Sequence, residues 1–176
     1  MDGKFVFKVK RDEHGNPIRW KVRFVVKGYS AIYGIDYNET TSPTMRMETF
    51  RAVAHIAAVN GRILQQVDIK TAFLRGVLEP GERVYMKQPK GFEEKGREDD
   101  IWGLQKGLYG LPQAGRVWNK AMNQAMLKLG FTRIKCEYCL YFQTTASETV
   151  DMLAMSIWTK TNTNTTNNDL KVRSSR

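Results

Sequence analysis

Asp68 is the side chain best placed to do chemistry, set within residues 62–76, which read RILQQVDIKTAFLRG. Gln65, Gln66 and Val67 form a short strand-like approach to it, and Ile69 to Leu74 turn away. A carboxylate at a strand tip puts a hard oxygen ligand at the edge of a sheet. Magnesium takes such oxygens together with water and substrate phosphates. Two such ions clamp the attacking and leaving oxygens of phosphoryl or nucleotidyl transfer. An aspartate at a strand end also serves to cap a turn or a helix, and Asp68 by itself does not separate the two roles.

A second chemical feature lies nearer the start of the chain. Phe5, Phe7 and Val9 alternate with Val6, Lys8 and Lys10, the period of a strand with one apolar face. Turn formers fill 12–17, and in 18–27 Val22, Phe24 and Val26 share one face while Lys21, Arg23, Val25 and Lys27 share the other. This predicts a hairpin with an apolar side and a cationic side. An ordinary solvated face of lysines would give the same pattern. The third feature is Cys136-Glu-Tyr-Cys139, whose spacing suits half a zinc site or a redox pair. The histidines, His14 and His55, are far away in sequence and no thioredoxin-like pattern surrounds the pair. Two reduced, partly buried cysteines are expected.

The elements that must position these groups are readable in outline. Phe50, Val53, Ala54, Ala57 and Ala58 recur at helical spacing, with Thr44 or Thr49 as cap and Asn60-Gly61 as stop. Val84 to Met86 reads as a strand, and Ile101-Trp102 leads into Leu104 and Leu108. Trp118, Ala121, Met122, Ala125, Met126 and Leu129 mark a second amphipathic helix, closed by Gly130. The chain of 176 residues is 41% hydrophobic and carries a formal net charge of +10, which suits one domain with a sizeable core and an acidic partner such as nucleic acid. No apolar run approaches the roughly 18–20 residues of a membrane helix. Met1 is followed at once by charged and alternating residues, so an intracellular protein without a signal peptide is expected.

VDIKTAFLRG at 67–76, RVYMKQPKGF at 83–92 and LQKGLYGLPQAGRVW at 104–118 resemble the reverse transcriptase of copia-type retrotransposons. GIDYNETTSP at 34–43 and TRIKCEYCLYF at 132–142 extend the resemblance, which runs in family order from about Phe5 to about Ser156. It implies an α+β fold, with a fingers hairpin and a partial palm whose antiparallel sheet is backed by the helices near Phe50 and Trp118. The domain would span 1–158, with an Asn/Thr-rich tail at 159–176 too poor in apolar surface to order itself. The implied chemistry is RNA-directed DNA polymerisation by two-metal nucleotidyl transfer with Mg2+, acting on an RNA or DNA template–primer and deoxynucleotides. Asp68 would then be a metal ligand. Ala72 and Phe73 would pack the sugar of the incoming nucleotide, the ring excluding a 2′-hydroxyl. Lys21 and Arg23 would contact phosphates. Gln113, with a donor and an acceptor, would contact the nucleotide.

The family pattern breaks after Phe142. A turn, and then an apolar strand ending in two aspartates, should follow. Here Thr149-Val150 begins a strand and runs straight into Asp151-Met-Leu-Ala, which normally follows the first aspartate. Most of that strand and one carboxylate are missing, leaving Asp151 as the surviving catalytic and metal-binding partner of Asp68. Nothing ahead of Asp151 is long enough to aim it, and the strand around 139–142 is expected to keep an uncovered apolar edge that invites aggregation. The resemblance thus implies a truncated, internally deleted and catalytically inactive copy. The alternative is a non-catalytic basic remnant that still binds nucleic acid.

Overall fold

Alternation of apolar and cationic residues builds the first element pair, β1 (Gly3–Arg11) and β2 (Pro17–Val26), an antiparallel ribbon. Asp12 closes its turn by accepting from the backbone N–H of Asn16 at 2.8 Å and of His14 at 3.0 Å. Then follow α1 (Met47–Val59), β3 (Ile63–Gln66), a 3-10 turn at Ala72–Arg75, β4 (Val84–Lys87), β5 (Ile101–Leu104) and α2 (Ala114–Lys128). The chain continues through β6 (Thr132–Arg133), β7 (Leu140–Thr144), β8 (Val150–Ala154) and β9 (Leu170–Arg173). The computed structural model describes residues 1–144, 150–154 and 170–173. It is an α+β arrangement of two antiparallel ribbons, β1–β2 and β4–β5, and one five-stranded antiparallel sheet.

The chain divides into two compact units, residues 1–41 with 71–118, and 42–70 with 119–176. In the first, Val26, Leu78, Val84, Met86, Leu111, Ala114 and Val117 form the core, with Phe24, Phe73, Leu104 and Leu108 packed on it. The ribbon register pairs Phe5 with Phe24, Phe7 with Val22 and Val9 with Trp20 on one face. On the other it pairs Val6 with Arg23, Lys8 with Lys21 and Lys10 with Arg19. Both expected faces therefore form. The apolar face reaches the core only through Phe24 and Val26, because Phe7 and Trp20, farther out, are each 75% exposed.

In the second unit the strand order is β3-β9-β8-β7-β6. Val53 and Ala57 of α1 bury against Leu140 of β7, with Met45 and Ile134 at the margin. Ala58, expected in the apolar stripe, faces solvent, as does His55. The uncovered edge expected on β7 is absent. β6 pairs with it on one side and β8 on the other, so Val150–Ala154 occupies the edge expected to be uncovered. A five-residue extended run meets the backbone hydrogen-bonding demand whatever its origin. The tail differs from expectation as well, since Leu170–Arg173, where Leu and Val alternate with Lys and Arg, supplies β9 between β3 and β8. The Asn/Thr-rich run before it lies outside the described residues.

Neither Thr44 nor Thr49 caps α1. Its N-cap is Arg46, without a side-chain bond of its own. Glu137 caps it from far along the chain, accepting from Arg46 N–H at 3.3 Å and the Thr49 hydroxyl at 3.1 Å, and its other oxygen accepts from Cys139 N–H. A carboxylate at a helix N-terminus answers both the orphan donors and the dipole. Glu137→Ala should therefore cost about 1–2 kcal/mol in urea denaturation, and a loss too small to measure would contradict the cap. Cys136 is exposed and Cys139 buried. Burial, then the nearby Glu137 carboxylate, pushes the Cys139 thiol up to about 11, so it stays protonated and unreactive.

Candidate functional site

The expected site residues divide between the units. Lys21, Arg23, Ala72, Phe73 and Gln113 belong to the first, Asp68 and Asp151 to the second.

In the first unit Phe73 sits in the 3-10 turn at Ala72–Arg75, whose N-cap Thr71 has φ 54°, the left-handed region. A β-branched residue there is a genuine outlier, costing roughly 1–2 kcal/mol. That bend carries the backbone from residue 70 into the turn. Gly107 braces it from the other side, its N–H bonded to Gly76 O at 2.8 Å, and a Cβ at Gly107 would lie 2.5 Å from the Phe73 carbonyl oxygen. Ala72 and Phe73 are both half-buried. The Phe73 ring meets Tyr109 edge to face, centroids 5.7 Å apart at 81°. Arg23 lays its guanidinium over the same Tyr109 ring, 5.6 Å from the centroid. Tyr109 thus joins two residues that sequence reasoning selected separately. It went unselected because its neighbours in space come from two distant stretches.

Gln113 departs from expectation in its surroundings. It is fully buried, its amide NH2 donates to the Asp36 carbonyl at 3.0 Å, and its Oε1 has no partner among the described residues. It holds the loop around Asp36 and presents nothing to solvent. Arg116, one helical turn on, donates to three carboxylates, Glu82 at 2.7 Å, Glu79 at 3.0 Å and Glu39 at 3.0 Å. Burial opposes its charge, but Glu82 and Glu79 outweigh that and raise its pKa. No periodicity could reveal this group, because the carboxylates come from two separate loops.

In the second unit Asp68 is exposed, two residues beyond the end of β3. Asp151 lies on β8 opposite Gln143 of β7. Lys171 of β9 pairs with Gln65 of β3 on one side and Leu153 of β8 on the other, so β3 and β8 run parallel with one strand between them. Asp151 is then level with Ile63, at the start of β3, while Asp68 follows its far end. The offset is about 10 Å along the strands to the end of β3 alone and about 10 Å across them. Ions that share bridging carboxylates sit only about 4 Å apart. Among the described residues no group of three or more His, Cys, Asp or Glu side chains could hold a metal ion. This donor set does not fit a two-magnesium centre.

The family described as reverse transcriptase (RNA-dependent DNA polymerase) matches residues 1–171. The chain belongs to that family, in its copia-type branch of retrotransposon Pol polyproteins. The Retrovirus-related Pol polyprotein from transposon TNT 1-94 of Nicotiana tabacum is 40% identical over 80% of the chain and 10% of its own length. That from transposon RE1 of Arabidopsis thaliana is 35% identical over 85% of the chain and 10% of its own length. The Transposon Ty1-H Gag-Pol polyprotein of Saccharomyces cerevisiae is 27% identical over 80% and 7%. The chain therefore spans about a tenth of the length of the curated plant relatives it matches. No solved structure matches it. Among the described residues no helix is long and apolar enough to cross a membrane.

Proposed function

We propose that this chain is a non-catalytic reverse transcriptase domain that binds nucleic acid through the cationic face of β1–β2. In this reading the ribbon is the fingers, the five-stranded sheet is what remains of the palm, and Phe73 is the sugar gate. The strand that would carry the second aspartate has been lost between Val150 and Asp151. The substrate class is the template–primer and deoxynucleotide pair implied by the family, and magnesium belongs to the intact relatives.

The cross-strand register of the ribbon carries the reading. Lys8 opposite Lys21 and Lys10 opposite Arg19 put like charges face to face, which costs a few tenths of a kcal/mol or more per pair. With Lys4 and Arg23 on the same face and a net charge of +10, this face suits a polyanion. Each phosphate neutralised adds roughly 0.7–0.9 to the log–log salt slope of binding. Replacing Lys21 and Arg23 together by alanine should lower that slope for an RNA–DNA hybrid by about one to two. An unchanged slope would move the binding face elsewhere.

A further inference from the structure

We propose that Tyr109 is a positioning residue that couples the phosphate-contacting Arg23 to the sugar gate Phe73, so that choice between deoxynucleotide and ribonucleotide passes through its ring. The inference rests on the reading of Phe73 as gate and of Arg23 as phosphate contact. Three observations carry it. One face of the Tyr109 ring takes the Arg23 guanidinium, and the ring meets Phe73 edge to face. The Tyr109 carbonyl accepts from Val26 N–H at 2.8 Å, and Gly110 beside it lies so near β2 that a Cβ there would run into the Val26 carbonyl oxygen, so the backbone bearing the ring is fixed to β2, the strand bearing Arg23. Phe73 is itself set by the left-handed Thr71 and the close approach of Gly107. A shift of the guanidinium toward a triphosphate is therefore felt by the gate through one shared ring. Half-buried, Tyr109 need not touch the nucleotide to do this.

Phosphates are identical in deoxy- and ribonucleotides, so an uncoupled Arg23 would affect both affinities equally. The test is calorimetric titration of the full chain, bound to an RNA–DNA hybrid, with thymidine triphosphate and with its ribose counterpart. The unaltered chain should bind the deoxy form at least tenfold more tightly, and Phe73→Ala should bring the ratio near one. Arg23→Gln, which keeps a polar side chain at this half-buried position, should reduce the ratio threefold or more as well as weakening both affinities. Tyr109→Phe should keep the ratio, and Tyr109→Leu should lose it. Equal weakening of both nucleotides by Arg23→Gln, or a ratio retained in Tyr109→Leu while Phe73→Ala loses it, would overturn the coupling and leave the gate standing. No preference in the unaltered chain, or a preference untouched by Phe73→Ala, would overturn the gate and the coupling with it.

Discussion

Arg116→Ala is expected to destabilise the first unit by about 3–5 kcal/mol, the cost of removing one partner of a buried ion pair, here Arg116–Glu82. The guanidinium side chain is 11% exposed and Glu82 beside it 10%. Without Arg116, Glu82 and Glu79 face each other with their cation gone, and Glu39 loses its anchor to α2. The three arms should not be equal. Glu39 is 72% exposed, so Glu39→Gln should cost no more than about 1 kcal/mol. Chemical denaturation of both variants reads the difference. Equal, small losses would mean that the cluster is a surface network of little weight. A whole domain holds only about 5–15 kcal/mol in reserve, so Arg116→Ala is expected to leave the first unit close to unfolding.

Gly110→Ala should be the next most damaging change. Gly110 has φ 93°, and a Cβ there would run into the Val26 carbonyl oxygen. The left-handed backbone alone costs an alanine roughly 1–2 kcal/mol. The collision with backbone adds strain that no rotamer relieves, of the 1–3 kcal/mol order found for overpacking. Gly34 isolates the second contribution, since its φ is 82° and a Cβ there meets nothing within 4 Å. Gly110→Ala should thus lose about 2–5 kcal/mol and Gly34→Ala about 1–2. Equal losses would show that the close approach of β2 to the Tyr109–Gly110 loop carries no weight.

Alternation and helical spacing located most of the elements. The two faces of β1–β2, the helix around Val53, the strand before Asp68 and the body of the helix that carries Trp118 are local patterns, and local patterns survive in a single sequence. What was missed depends on contacts far apart in the chain. Glu137 caps α1 although Thr49 stood nearer in sequence, because the loop between β6 and β7 delivers a full carboxylate to the helix N-terminus. Gln113 offered a donor and an acceptor, yet its amide is taken up by the Asp36 carbonyl. β8 pairs along β7, and β9 enters between β3 and β8. Strand neighbours of this kind are set by which edges need hydrogen bonds, and composition does not encode that. The charge separation of the ribbon was visible, whereas the like-charge register required the turn at Asp12 and the bulge between Lys10 and Arg11 to be known.

In the proposed function the domain retains a nucleic-acid surface, while Asp151 is level with the start of β3 and Asp68 follows its far end. Primer extension on an RNA template with magnesium or manganese, comparing the purified chain with its Asp68→Ala variant, tests it most directly. The two should be indistinguishable, with no template-directed incorporation by either. Incorporation by the unaltered chain that disappears in Asp68→Ala would contradict the claim, because it would require a second carboxylate beside Asp68 that the strand register does not provide.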